Sequence, residues 1–483
     1  MEEKRIKPAR PLSDEEKQLL DSADSFGDEL TELLASLVRI DSRNPAEDEF
    51  CERSEVFKFA DGWMKDAGMD SKLYKAPFDD EGRYYYNLVS ELKGNKAGKI
   101  LQFCGHLDIV PFNEKKWDED TPPLGGTIKN GRLYGRGAAD MKAGIACQMI
   151  AMKALKNSGV DFNGKLQMWF TPDEETHGKF GSAFLPKQFP GTVHADATII
   201  SEPTLLAPMH SPTIGIDEKG PCWVKLTFFG VAGHGSMPKK NSNALNKAVR
   251  FMAEAERKLR IPKRKVPMSL FSFFRSLMTR FSISQLRKME FSTGKKDPLD
   301  RDKISLSSLF KTTYSFNKIK AGTKTNVIPD TCELEIDFRK MPGLSTQELF
   351  NAVAKYCGRL GYRIKLPEGW RNIQTHRALK DTPVDVELSI IAESEGSFHG
   401  MDSEFGRCLK GAFEALYESS VVEMFSPGFT DGGNMRDAGM KDVFILGPGG
   451  GHIHEANEYA EIEPMLNVMK LYLLTAFRYL NSN

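Results

Sequence analysis

One recurrence constrains this chain more than any other feature. Short continuous apolar runs each stop at a histidine or a carboxylate. Leu101–Pro111 reads LQFCGHLDIVP and sets His106 and Asp108 just after its apolar run. Lys165–Phe170 (KLQMWF) stops at TPDEETHG, which holds Glu174 and Glu175. Ala197–Ile200 (ATII) stops at SEPT, with Glu202, and Asp442–Leu446 (DVFIL) stops at GPGGGHIHEANEY, with His454. Apolar runs of this kind, bounded by turn residues, read as buried strands with helices between them. In open α/β sheets, ligands bind beyond the carboxyl ends of the strands. These distant segments are therefore expected to meet in one crevice. Asp140 joins them, where the Gly-rich GRGAADMKAG (Gly135–Gly144) becomes a helix through Leu155. That loop offers GxG without GxGxxG after a strong strand and no acidic residue placed for a ribose, which argues against a dinucleotide site.

The remaining segments predict the frame. Ser13–Ile40 reads as a helix, with a Ser13/Glu16 capping box and a stripe of Leu30, Leu33, Leu34, Leu37 and Val38. Glu47–Gly68 reads as a second helix closed by Gly68. Tyr84–Leu92 and Ile100–Cys104 read as strands, joined by a hairpin or short loop at Lys93–Lys99. Between about 214 and 393 the texture changes. Cys222–Gly230 and TCELEIDF, within Asn326–Phe338, alternate as half-buried strands do, and Asp385–Ile391 looks like a further strand. Asn243–Leu259 and Thr346–Leu360 read as helices. At 483 residues, two domains are the default expectation. The expected class is α/β, a mixed sheet flanked by helices, formed by 1–213 and 394–483 around an inserted α+β domain, 214–393.

Composition narrows the function classes. Lys+Arg and Asp+Glu are both 66, so no nucleic-acid or other polyionic partner is indicated. The seven cysteines include no CxxC pair, which argues against a disulfide framework or a cysteine zinc knuckle. The first residues are charged and lack an apolar signal core, and no apolar run approaches the ~18 residues of a membrane span. A cytoplasmic setting is expected. Residues 257–303 depart from the balance, with 14 Lys/Arg against 4 Asp/Glu. Leu270, Phe274, Leu277 and Phe281 fall there on one helical face. Contact with an anionic membrane surface and packing on the chain's own domain or a second subunit both remain open. Thr430–Asn434 (TDGGN) and Gly447–Gly451 (GPGGG) read as anion cradles or tight turns.

His106, Asp108, Asp140, Glu174, Glu175, Glu202 and His454 form a candidate set. Two histidines with several carboxylates and no cysteine suit divalent Zn, Mn or Co better than copper or iron–sulfur. One carboxylate can bridge two ions, and another must stay free to take a proton from water. Adjacent Glu174 and Glu175 can divide those tasks.

The motifs GHLDIVP, GRGAADMKAG, TPDEETHG, SEPT, GVAGHGSMP, TNVIPD with DFRKMP, and HEANEY resemble, in order, those of the M20 family of metallopeptidases and deacylases. That family includes acetylornithine deacetylase, succinyl-diaminopimelate desuccinylase and glutamate carboxypeptidases. The ADMKAG wording is nearer the deacetylase/desuccinylase branch than the dipeptidase branch. The resemblance implies a metal-dependent amide hydrolase with two divalent ions, most simply Zn. His106 and Glu202 would hold one ion and Glu175 and His454 the other, with Asp140 bridging. Asp108 would orient His106, and Glu174 would be the general base. His234 in GHGSMP would stabilise the oxyanion, often from the partner subunit of a homodimer. Asn326 and Arg339 would contact a small-molecule or short-peptide substrate. The insert becomes a lid or dimerisation domain. By themselves, His234 reads as a turn residue and Arg339 as a surface charge.

Overall fold

In the computed structural model of the chain, the described residues are 10–45, 50–205, 212–239, 242–265, 271, 274–275, 278, 291–292, 304–305, 310–372, 383–397, 400–426 and 428–482. Two main sheets, each with its own apolar core, carry the architecture. In chain order their strands are β1 (Asp70–Pro77), β2 (Tyr84–Lys93), β3 (Ile100–His106), β4 (Lys165–Thr171), β5 (Ala197–Ile200) and β6 (Ile214–Glu218). Next come β7 (Gly220–Phe229), β8 (Thr313–Ala321), β9 (Thr331–Lys340), β10 (Ile364–Lys365), β11 (Val386–Glu393), β12 (Glu423–Ser426) and β13 (Val443–Ile445).

The larger sheet has the order β1-β2-β4-β3-β5-β13-β6-β12. Its centre, β4-β3-β5-β13, is parallel. Register aligns the strand ends: His106 lies opposite Thr171, Cys104 opposite Ile200, and Ile200 opposite Ile445. The loops leaving these strands therefore emerge along one edge, as the sequence implied. The helix Ala143–Asn157 is buried almost all round because it packs between β3, the helix Gly27–Arg39 and the C-terminal helix Ile462–Leu480.

Three local expectations are corrected. Of the two readings of Lys93–Lys99, the short loop holds and the hairpin does not, because β4 lies between β2 and β3. The apolar β4, buried from Leu166 to Thr171, takes a central place, while β2, with Tyr84 and Tyr86 half-buried, sits outside it. The first helix is two helices, Asp14–Ala23 and Gly27–Arg39, parted by a 3₁₀ turn at Asp24–Phe26. The Ser22 and Ser25 hydroxyls donate there to the Leu19 and Ser22 carbonyls, competing with helical pairing. The second helix spans Ser54–Asp66, starting later than Glu47.

In the second sheet, ordered β8-β9-β7-β11-β10, the alternation is as read. Cys222, Val224, Leu226 and Phe228 face the core opposite Phe338, Ile336, Leu334 and Cys332. Helices Ala244–Lys258 and Thr346–Arg359 contribute to the same core. The other face brings Trp223 opposite Asp337, with Arg339 two residues further on. Strand β6 pairs with β12 and β13, so the passage between sheets falls at Lys219, not at 213/214. After β11 the chain returns to the large sheet through β12 and β13.

In the basic segment, Phe274 stacks on Phe310 with ring centroids 5.7 Å apart. Leu270, Leu277 and Phe281 lie outside the described residues. Among the described residues, no helix is long and apolar enough to cross a membrane.

Candidate metal centre

The carboxyl edge of the large sheet gathers two triplets of donor atoms, each within 4.8 Å of one another. One triplet is His106, Asp140 and Glu202; the other is Asp140, Glu175 and His454. His106 Nε2 lies 3.2 Å from Asp140 Oδ1 and 3.6 Å from Glu202 Oε1. His454 Nε2 lies 3.3 Å from Asp140 Oδ2 and 3.1 Å from Glu175 Oε1. Asp140 thus turns one oxygen to each histidine. The His106 side chain is 1% exposed and that of His454 50%, so one triplet is closed and the other opens to solvent.

Each position has a local cause. His106 ends β3, and its Nδ1 donates to the Asp108 carbonyl oxygen at 3.0 Å, which turns Nε2 toward the triplet. The Asp108 carboxylate, 3.5 Å from the same nitrogen, accepts the backbone N–H groups of Glu174 (3.2 Å) and Glu175 (3.1 Å) and the Asn44 amide. Asp108 therefore ties the β3 end to the turn after β4. Asp140 sits where residues 138–142 leave helical geometry, at φ −116° and ψ 93°. Gly447 lets its loop lie on the strand leading to Glu202, since a Cβ there would stand 2.3 Å from the Ser201 carbonyl oxygen. GPGGG is thus a packing device, and TDGGN begins the helix Asp431–Asp437, capped by Thr430.

The cluster is short of positive charge. Burial pushes the Glu174 and Glu202 carboxyls well above their usual range and that of Glu175 up, and the neighbouring carboxylates add to this. Against its own burial, the Asp108 and Asp140 carboxylates push the His106 imidazole well above its usual range. Hydrogen bonds to Asp140 and Glu175 push His454 up to about 10. Four carboxylates around two imidazoles, with Asp140 held low by both histidines against its own burial while burial raises the other three, fit divalent ions of oxygen and nitrogen preference.

Of the other candidates, Arg339 lines the same cavity, its Nε 2.9 Å from Asp337 Oδ1. His234 and Asn326 do not line it. They lie on an exposed ribbon, where His234 pairs with Val327 and Gly235 N–H donates to the Asn326 carbonyl. Sequence reasoning missed the support of the centre. Glu458 is buried and accepts from Arg136 and from the backbone of Gly137 (3.1 Å), Ala139 (3.0 Å) and Asp140 (3.1 Å). The signal was present, because Glu458 belongs to HEANEY, but its partners lie 318 to 322 residues away.

Comparison with known proteins fits this geometry. Residues 103–478 match the model of peptidase family M20/M25/M40, a span that takes in every residue of both triplets. The chain belongs to that family. This M20 protein is accordingly an enzyme, a metal-binding hydrolase. It is 24% identical over 456 residues to an uncharacterized metallohydrolase of Methanococcus maripaludis, covering 93% of this chain and 99% of the relative. It is 25% identical over 460 residues to a probable succinyl-diaminopimelate desuccinylase of Staphylococcus aureus, covering 94% and 98%. The di-peptidase Dug1p of Saccharomyces cerevisiae shares the fold, with a TM-score of 0.71, 17% identity and coverage of 97% and 99%.

Proposed function

We propose that this M20 protein hydrolyses the amide bond of an N-acyl amino acid or short peptide that carries a free carboxylate. The observation that carries this reading is the pair of donor triplets sharing Asp140. His106 and Glu202 would hold one divalent cation, Glu175 and His454 the other, and Asp140 both. The donor set suits zinc first, then cobalt or manganese. Such ions supply polarisation of the scissile carbonyl and ease the ionisation of water.

The chain's own residues do the rest. Glu174 lines the cavity yet belongs to neither triplet. It takes a proton from the attacking water and returns it to the amine nitrogen as the C–N bond breaks. Asp108 holds His106 and the Glu174–Glu175 backbone in register. Arg339 directs its Nε to Asp337, which leaves the terminal nitrogens of a planar fork for a substrate carboxylate.

His234 and Asn326 are exposed, beside exposed Val231, Met237 and Val327. We read that ribbon as the contact of a homodimer, through which His234 reaches the cavity of a second copy and donates to the developing oxyanion. The second sheet then acts as the lid and dimerisation layer. All seven cysteines are free, which suits a reducing compartment such as the cytoplasm.

Two experiments test this. Exhaustive chelation is expected to abolish hydrolysis of acetyl-, succinyl- or dipeptide substrates, and Zn, Co or Mn to restore it. Activity indifferent to chelation would refute the metal reading. Mixing Glu174→Gln with His234→Ala subunits under exchange conditions is expected to regain turnover well above either variant alone. Absence of complementation in verified mixed dimers would assign His234 to its own subunit or to no role.

A further inference from the structure

The cavity beside the donor triplets measures about 500 Å³, within the ~300–1,000 Å³ range of small-molecule sites. Its charges are unevenly placed. Among the described lining residues, the four acidic side chains, Asp140, Glu174, Glu175 and Glu202, belong to the metal and proton-transfer cluster. Among the described lining residues, Arg339 is the one lysine or arginine. The rest of the described wall is the imidazoles of His177 and His454, the apolar Val110, Pro203, Trp223, Met424, Phe429 and Ile445, Gly428 and a few hydroxyls.

The two threonine hydroxyls are already engaged as donor and acceptor. Thr430 Oγ1 donates to Glu218 at 2.9 Å and accepts from Gly432 N–H at 3.1 Å. Thr204 Oγ1 donates to the Gly447 carbonyl at 3.2 Å and accepts from Gly447 N–H at 3.1 Å. Ser426 Oγ accepts from Gly428 N–H at 3.1 Å. The Trp223 indole nitrogen is buried without a hydrogen-bond partner. An indole N–H can only donate, so it is available to an acceptor oxygen of the substrate.

We infer that this site selects a substrate with one carboxylate and an uncharged, apolar side chain or acyl chain, seated on Trp223, Met424 and Phe429. The inference rests on the amide-hydrolase reading above and narrows its substrate class. A second substrate carboxylate, as in a succinyl group, would need a cation besides Arg339. A substrate ammonium, as in an ornithine side chain, would need a carboxylate outside the metal cluster. A charge buried without a partner is rejected strongly, whereas each methylene of an apolar group gains contact with the wall.

The test is a ranking on the metal-loaded enzyme. The kcat/KM values of N-acetyl-leucine, N-acetyl-methionine and N-acetyl-phenylalanine are compared with those of N-acetylornithine and N-succinyl-diaminopimelate. The apolar substrates are expected to lead by roughly 100-fold or more. The same order is expected in calorimetric binding to the Glu174→Gln protein, which reads selection without turnover. Met424→Lys, checked for native circular dichroism, is expected to move the succinyl-to-apolar ratio at least about tenfold toward the succinyl substrate. Charged substrates turned over or bound as well as the apolar ones would overturn the inference while leaving the hydrolase reading intact. Failure of the metal-loaded enzyme to bind or cleave any of the five would overturn the hydrolase reading and this inference with it.

Discussion

Glu174→Gln is expected to lower kcat by about 10²–10⁴-fold, the usual contribution of a positioned general acid–base. The substitution keeps shape and volume but removes the group that accepts and returns a proton. Its specificity follows from the geometry. Glu174 Oε2 stands 4.0 Å from His106 Nε2, near the centre, while the two donor triplets are complete without it. Metal content, measured by elemental analysis, is therefore expected to stay near that of the parent protein, and KM to change little. The backbone of Glu174 donates to Asp108, so the turn is held by an interaction that the substitution leaves in place. Residual turnover within about tenfold of the parent would assign proton transfer to another group, because about 1.36 kcal/mol is too little for a lost general base.

Glu458→Leu is expected to destabilise the fold by about 3–5 kcal/mol, the cost of stranding one member of a buried ion pair. Arg136 is 3% exposed and Glu458 is fully buried. Without the carboxylate, the guanidinium keeps its charge in a dry site, and the N–H groups of Gly137, Ala139 and Asp140 lose their acceptor. Those amides carry the bend that sets Asp140 between the triplets, so metal affinity is expected to fall together with stability. Glu458→Gln keeps an oxygen acceptor and is expected to cost less. Denaturant midpoints, taken with and without added zinc, check both statements. A loss below about 1 kcal/mol for the leucine variant would show that water or another group replaces the carboxylate.

Much of the candidate site was legible from residue order because a parallel strand carries its chemistry just past its own end. The apolar runs before His106, Glu174–Glu175, Glu202 and His454 are local statements, and a common edge results once such strands lie side by side. The alternation of Cys222–Gly230 and TCELEIDF was equally local, since side chains of a strand change face at every residue. Other features were not local. Whether β2 and β3 touch depends on where β4 inserts, and β4 begins 59 positions after β3 ends. Serine hydroxyls at Ser22 and Ser25 outweighed the apolar stripe that suggested one continuous helix. Arg339 comes to the cavity because cross-strand register sets Asp337 against Trp223, whereas His234 and Asn326 lie on a separate ribbon.

The order of amino acids alone determined which side chains were available for metal and proton chemistry, and that they would emerge at strand ends, since burial pattern and strand direction are properties of short segments. Only the tertiary structure decided that Asp140 faces both histidines, that Asp108 and Glu458 pin the turns around it, and that one arginine and a group of apolar side chains share the described wall of the cavity. Those relations join residues up to several hundred positions apart, and their distances depend on how sheets and helices pack, which no short segment contains.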